Sequence, residues 1–121
     1  MPLVHHELCF GCGRSNLFGL LCELEEPAPG AVSGRCFIKQ DHQGPQPGYA
    51  HEGVIAAALS EAMAFACGPR ARARRIEVEL IAPTAVGAFV EVEADADGRR
   101  ARATASADGT LVARAQGTYD G

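Results

Sequence analysis

From Gly53 to Cys67 the chain reads GVIAAALSEAMAFAC, a run with no proline and no glycine after its first residue. Alanine dominates it, and alanine has the highest helix propensity of any residue. "CGPR" at 67–70 supplies the stop, through Gly68 and Pro69. Glu61 is the only charged residue in the run. A helix this apolar must be covered over most of its circumference. In a chain of 121 residues the only cover long enough is a sheet wrapped around it.

The flanking sequence supplies that sheet. "GLLCELEE" (19–26) and "AVSGRCFIKQ" (31–40) read as two strands joined at "PAPG". "DHQGPQPG" (41–48) reads as a loop. After the helix, "RRIEVELIAP" (74–83) alternates Ile76, Val78 and Leu80 with Glu77 and Glu79. Strands follow at 87–97 and 98–108, and "DG" at 108–109 marks a hairpin turn into a last strand. Residues 1–18 show no clear period and read as an N-terminal arm, which leaves 19–121 as one domain. The predicted class is α+β, with one long helix and five or six antiparallel strands. Sheet faces left over after wrapping predict a homo-oligomer, a dimer or a dimer of dimers.

Composition narrows the partners. A net charge of −4 gives no footprint for nucleic acid. No run reaches the 18 or so apolar residues of a membrane span. The five cysteines, an odd number in a chain with no secretory pattern at its start, favour a reducing, cytoplasmic setting. Cys9 and Cys12 form one Cys-x-x-Cys pair with His5 and His6 nearby, a partial zinc pattern. With no second Cys-x-x-Cys in the chain, the expectation is a packing role and no metal.

"HEGVIAAALSEAM" (51–63) resembles the His-Gly-Gly…Asp-Glu-Ala-Met segment of hotdog-fold thioesterases of the phenylacetate-pathway, or PaaI-like, branch. "CFGCGRSNLFGL" (9–20), "QGPQPGYAHEG" (43–53), "IEVELIAPTAVG" (76–87) and "DGTLVARAQGTY" (108–119) are similar to other segments of one branch, in order. The resemblance implies a hotdog fold, in which a sheet wraps one helix. It also implies hydrolysis of an acyl-CoA thioester between two subunits, with coenzyme A entering as part of the substrate and no cofactor. In that family the backbone N–H after the histidine polarises the carbonyl, and an acid nine residues past the histidine activates the attack. His51 matches, Glu52 stands where the family has its first Gly, and Gly53 matches the second. Ser60 stands at the acid's position, with Glu61 next to it.

The helix start offers free N–H groups whatever the side chains, so Glu52 and Gly53 are the expected oxyanion donors. Gly53, Ala56, Ser60 and Met63 are read as one stripe, with Met63 expected against substrate. Gly53 and Ser60 lie roughly 10 Å apart along the axis, so a partner helix must complete the site. Glu61, about 100° around, is either a general base of raised pKa or a structural acid bonded to a neighbouring loop. His51, Ser60 and Glu61 are the catalytic candidates. The cations of Arg74, Arg75 and Arg100 are candidates for the phosphates of coenzyme A. If the missing acid has not been replaced, the alternative function is acyl-CoA binding without turnover.

Overall fold

The computed structural model describes residues 2–120. Six strands and one long helix appear in the order β1 (Glu23–Ala28), β2 (Ala31–Phe37), α1 (Glu52–Cys67), β3 (Arg72–Leu80), β4 (Phe89–Asp97), β5 (Arg100–Ala107) and β6 (Thr110–Asp120). A short 3₁₀ turn, Gln40–His42, lies between β2 and α1. All strand pairs are antiparallel, in the order β1-β2-β4-β5-β6-β3.

The alternation along each strand decides which face the helix meets. Val92, Ala105 and Ala113 stand in one cross-strand row, and Ala94, Ala103 and Ala115 in the next; all six are buried. Five of these six are alanines, so β5 and β6 present a shallow floor. The helix lies across it and seats Ile55, Leu59, Ala62, Met63 and Ala66. Leu59 and Met63 have no exposed surface. Register shifts in β3–β6 and β5–β6 bend the sheet around the helix, the usual effect of a bulge. The outer face carries ladders of opposite charge, such as Asp95–Arg102 and Glu79–Arg114. This is the predicted hotdog arrangement of one helix in a wrapped antiparallel sheet.

The strand boundaries shift by a few residues from the sequence reading, most informatively at β1. The first strand begins at Glu23 rather than 19, because Leu21 has a left-handed backbone (φ 49°) that breaks the extended run. Leu20 and Cys22 instead donate their N–H groups to the carbonyls of Phe10 and Gly11 in the arm. The same strand continues through Pro27 to Ala28. That is allowed because β1 is a sheet edge and the missing N–H costs no ladder bond. The arm has neither helix nor strand over 2–22, yet it is part of the core. Cys12 and Leu20 are buried within it, and Leu3 donates to the Leu24 carbonyl. No helix of the described residues is long and apolar enough to cross a membrane.

Candidate active site at the start of the helix

The segment before α1 is held by backbone bonds. Ala50 N–H donates to the Thr84 carbonyl and His51 N–H to the His42 carbonyl, both at 2.8 Å. Gly44 packs against His51 so closely that a Cβ there would stand 2.7 Å from the His51 Cα. Buried His42 accepts from Lys39 N–H through Nδ1 and reaches the Phe18 carbonyl through Nε2. The arm and the helix start are thereby tied to one loop.

His51 is the N-cap of α1, with an extended backbone. Its Nδ1 accepts the Gly53 N–H at 2.8 Å, so in the neutral ring the proton sits on Nε2. Val54 N–H is taken by the His51 carbonyl. The Glu52 N–H has no acceptor among the described residues. Of the two expected oxyanion donors, Gly53 is therefore engaged by the cap, and Glu52 is open.

Glu52 lines a groove of about 310 Å³ with Gln46, Tyr49, Ile55, Leu80 and Thr84. Leu80 and Ile81 at its rim are about half exposed. Thr84 is buried, and its hydroxyl has no partner among the described residues. A buried donor left unpaired is unfavourable; Thr84 and Glu52 both line the groove, with the Thr84 hydroxyl itself closed off from it. Nothing in "APTAVG" distinguishes this threonine at the level of sequence; only its burial does.

The inner helix residues separate. Ser60 is half-buried, and its carbonyl accepts from the Tyr119 phenol at 3.3 Å. Burial pushes that phenol's pKa up. Met63 is fully buried in the core, a correction to the expected stripe. Three residues from Ser60 is about 300° of rotation, which carries Met63 toward the sheet. Ala56, Ala57 and Ala64 stay half-buried beside Ser60.

Glu61 is directed to the arm. Its Oε2 lies 2.9 Å from His5 Nδ1 and accepts from Cys9 Sγ at 3.4 Å. The His5 ring stacks on Phe65 at 3.9 Å. Burial and the Glu61 carboxylate raise the Cys12 thiol well above its ordinary pKa. His5, Cys9, Cys12 and Glu61 offer ligand atoms that all lie within 4.8 Å of one another. Sequence spacing shows Cys9, Cys12 and a nearby histidine, but cannot show that Glu61 joins them.

The three arginines lie on or beside the outer sheet face. Arg74 pairs with Asp120 and Arg75 with Glu77. Arg75 and Arg100 both stand opposite Thr118 and line one shallow groove of about 640 Å³ that does not include the helix start. Arg100 has no ion pair among the described residues.

Neither a family model nor a curated protein matches the sequence. Solved structures do match. The TT0310 protein of Thermus thermophilus is 28% identical with a TM-score of 0.73, over 81% of this chain and 89% of that one. A point mutant of the phenylacetic acid degradation protein PaaI, also from Thermus thermophilus, is 28% identical with a TM-score of 0.73, over 81% and 90%. A hypothetical thioesterase protein with coenzyme A from Streptococcus pneumoniae has a TM-score of 0.72 over 81% and 86%. At 13% identity that last likeness concerns the fold alone. The chain has the hotdog fold that these structures share. Within it, the PaaI-like branch recognised in the sequence is the one these neighbours support.

Proposed function

We propose that the chain hydrolyses an acyl-CoA thioester at a site completed by a second copy of itself. The observation that carries this reading is the capped start of α1, where the Glu52 N–H is left without an acceptor among the described residues and Glu52 lines a groove. The thioester oxygen accepts from Glu52 N–H, and the helix dipole favours the negative charge that develops there. His51 keeps the first turn formed through its cap bond to the Gly53 N–H. The PaaI neighbour and, through the shared fold alone, the Streptococcus pneumoniae structure that contains coenzyme A are in keeping with this ligand class.

The attacking water is held by Ser60 of the second copy. Its oxygen adds to the carbonyl carbon, the carbon–sulfur bond breaks, and the departing thiolate of coenzyme A takes up the proton the water loses. A serine hydroxyl orients water without taking its proton, so the general-base contribution, about 10²- to 10⁴-fold where present, is largely missing. Glu61 does not supply it in this reading, because its carboxylate is engaged by the arm; it is the structural acid of the two roles expected for it. Arg100, the unpaired cation of the outer groove, is assigned to a phosphate of coenzyme A.

The occupied state of Glu61 and the serine at 60 favour a second reading, acyl-CoA binding without turnover. A panel of acyl-CoA esters, followed by release of free thiol and by calorimetry, tests both. Turnover of any ester above the uncatalysed rate supports the hydrolase. Tight binding with no thiol release supports the binding protein. Neither binding nor release removes both.

A further inference from the structure

We propose that His5, Cys9, Cys12 and Glu61 bind one zinc ion that fastens the N-terminal arm to α1. None of these residues is assigned to the thioester, so the zinc site stands apart from the thioesterase reading.

A zinc ion with tetrahedral bonds to sulfur, nitrogen and carboxylate oxygen requires its ligand atoms to stand about 3.3–3.8 Å apart, from the usual bond lengths. His5 Nδ1 lies 3.4 Å from Cys12 Sγ and 3.8 Å from Cys9 Sγ. Cys9 Sγ lies 3.4 Å from Glu61 Oε2. The edge from His5 Nδ1 to Glu61 Oε2 is 2.9 Å, a few tenths short. Four of the six edges thus lie within about half an ångström of those of a zinc tetrahedron, and the other two, Cys9 Sγ to Cys12 Sγ and Cys12 Sγ to Glu61 Oε2, are within 4.8 Å.

The surroundings support the same ion. Cys9 and Cys12 are free thiols, and Cys12 is fully buried. The backbone N–H of His5 donates to Cys12 Sγ at 3.1 Å, a bond that stabilises a thiolate. Stacking on Phe65 fixes the ring of His5. The backbone packs closely around the two cysteines: a Cβ on Gly11, between them, would collide with the Glu61 side chain, and one on Gly13, just after Cys12, with the Glu7 carbonyl. Two thiolates, a carboxylate and a neutral imidazole leave a net single negative charge around a divalent ion, and the soft sulfurs select zinc over magnesium or calcium. Four protein ligands leave no open position, so the ion is structural. The missing second half of the Cys-x-x-Cys pattern is supplied across the fold, by His5 and by a helix residue 52 positions beyond Cys9.

The test uses the full chain, purified under reductant without chelator. Elemental analysis is expected to find about one zinc per chain after exhaustive buffer exchange, as four protein ligands hold a structural ion. Chelator-stripped protein titrated with Co²⁺ is expected to develop thiolate-to-cobalt charge-transfer bands and intense tetrahedral ligand-field bands. The Cys9→Ser, Cys12→Ser double variant should lose both signals. Glu61→Gln should bind at least about tenfold more weakly, matching or exceeding the loss of an outer-shell partner. No stoichiometric zinc together with no cobalt bands from reduced wild type overturns the proposal, as does full zinc retention by the double variant. The wild-type measurements decide the matter even if the variants fail to fold.

Discussion

Gly11→Ala is the sharpest probe of how the arm is held. The new methyl would stand 2.4 Å from Cδ, 2.5 Å from Oε1 and 2.7 Å from Cγ of Glu61. A flexible side chain usually retreats from such a clash. Glu61 cannot do so while its carboxylate remains 2.9 Å from His5 and 3.4 Å from Cys9. Retreat loses a charged hydrogen bond, about 1.5–3 kcal/mol, and staying overpacks the contact by about 1–3 kcal/mol. Either route gives about 1–3 kcal/mol. For a chain of this length about 4 °C of Tm is lost per kcal/mol, so the expected fall is about 4–12 °C in thermal unfolding followed by circular dichroism. Gly98→Ala is the control: Gly98 has φ 65° with nothing near its Cβ, and the left-handed backbone alone costs about 1 kcal/mol. A Gly11→Ala Tm within about 2 °C of wild type, against that scale, would show that Glu61 swings free and does not clamp the arm.

Two further variants address the groove and the outer face. Thr84→Val removes a buried hydroxyl that has no partner, so stability should hold or rise by about 1 kcal/mol. A lower Tm in thermal unfolding would contradict the unpaired state of that hydroxyl. Arg100→Ala should raise KM for acyl-CoA by up to about fivefold, the range of an exposed ionic contact, and affect a substrate lacking the nucleotide phosphates much less. An equal effect on both substrates would exclude the phosphate assignment.

The helix and most strands are legible in the sequence because their signals are local. An alanine run without breakers and alternating strands such as Ile76 to Leu80 leave little choice of structure. The first strand begins four residues later than its residue pattern suggests, because the left-handed Leu21 is set by the arm's contacts rather than by its own type. Met63 faces the sheet rather than the substrate stripe, and helical spacing alone does not say where the sheet lies. The site divides in the same way. The helix start needs only backbone, so its donor at Glu52 is foreseeable, but engagement of the Gly53 N–H depends on the rotamer of His51. The Cys-x-x-Cys pair with His5 nearby is visible in the sequence, but the burial of Thr84 and the place of Glu61 beside that pair are products of long-range packing.

The carboxylate missing from position 60 bears most directly on the hydrolytic site. Ser60→Asp returns it to the place proposed to orient water in the wild type, without altering the Glu52 N–H proposed to polarise the thioester. With the acyl-CoA ester that the wild type turns over or binds best, kcat/KM for thiol release should rise by about 10²-fold, the lower end of a general-base contribution. A folded Ser60→Asp protein that binds the ester as wild type does, yet releases thiol no faster, would contradict the proposal that the start of α1 and residue 60 form one hydrolytic site.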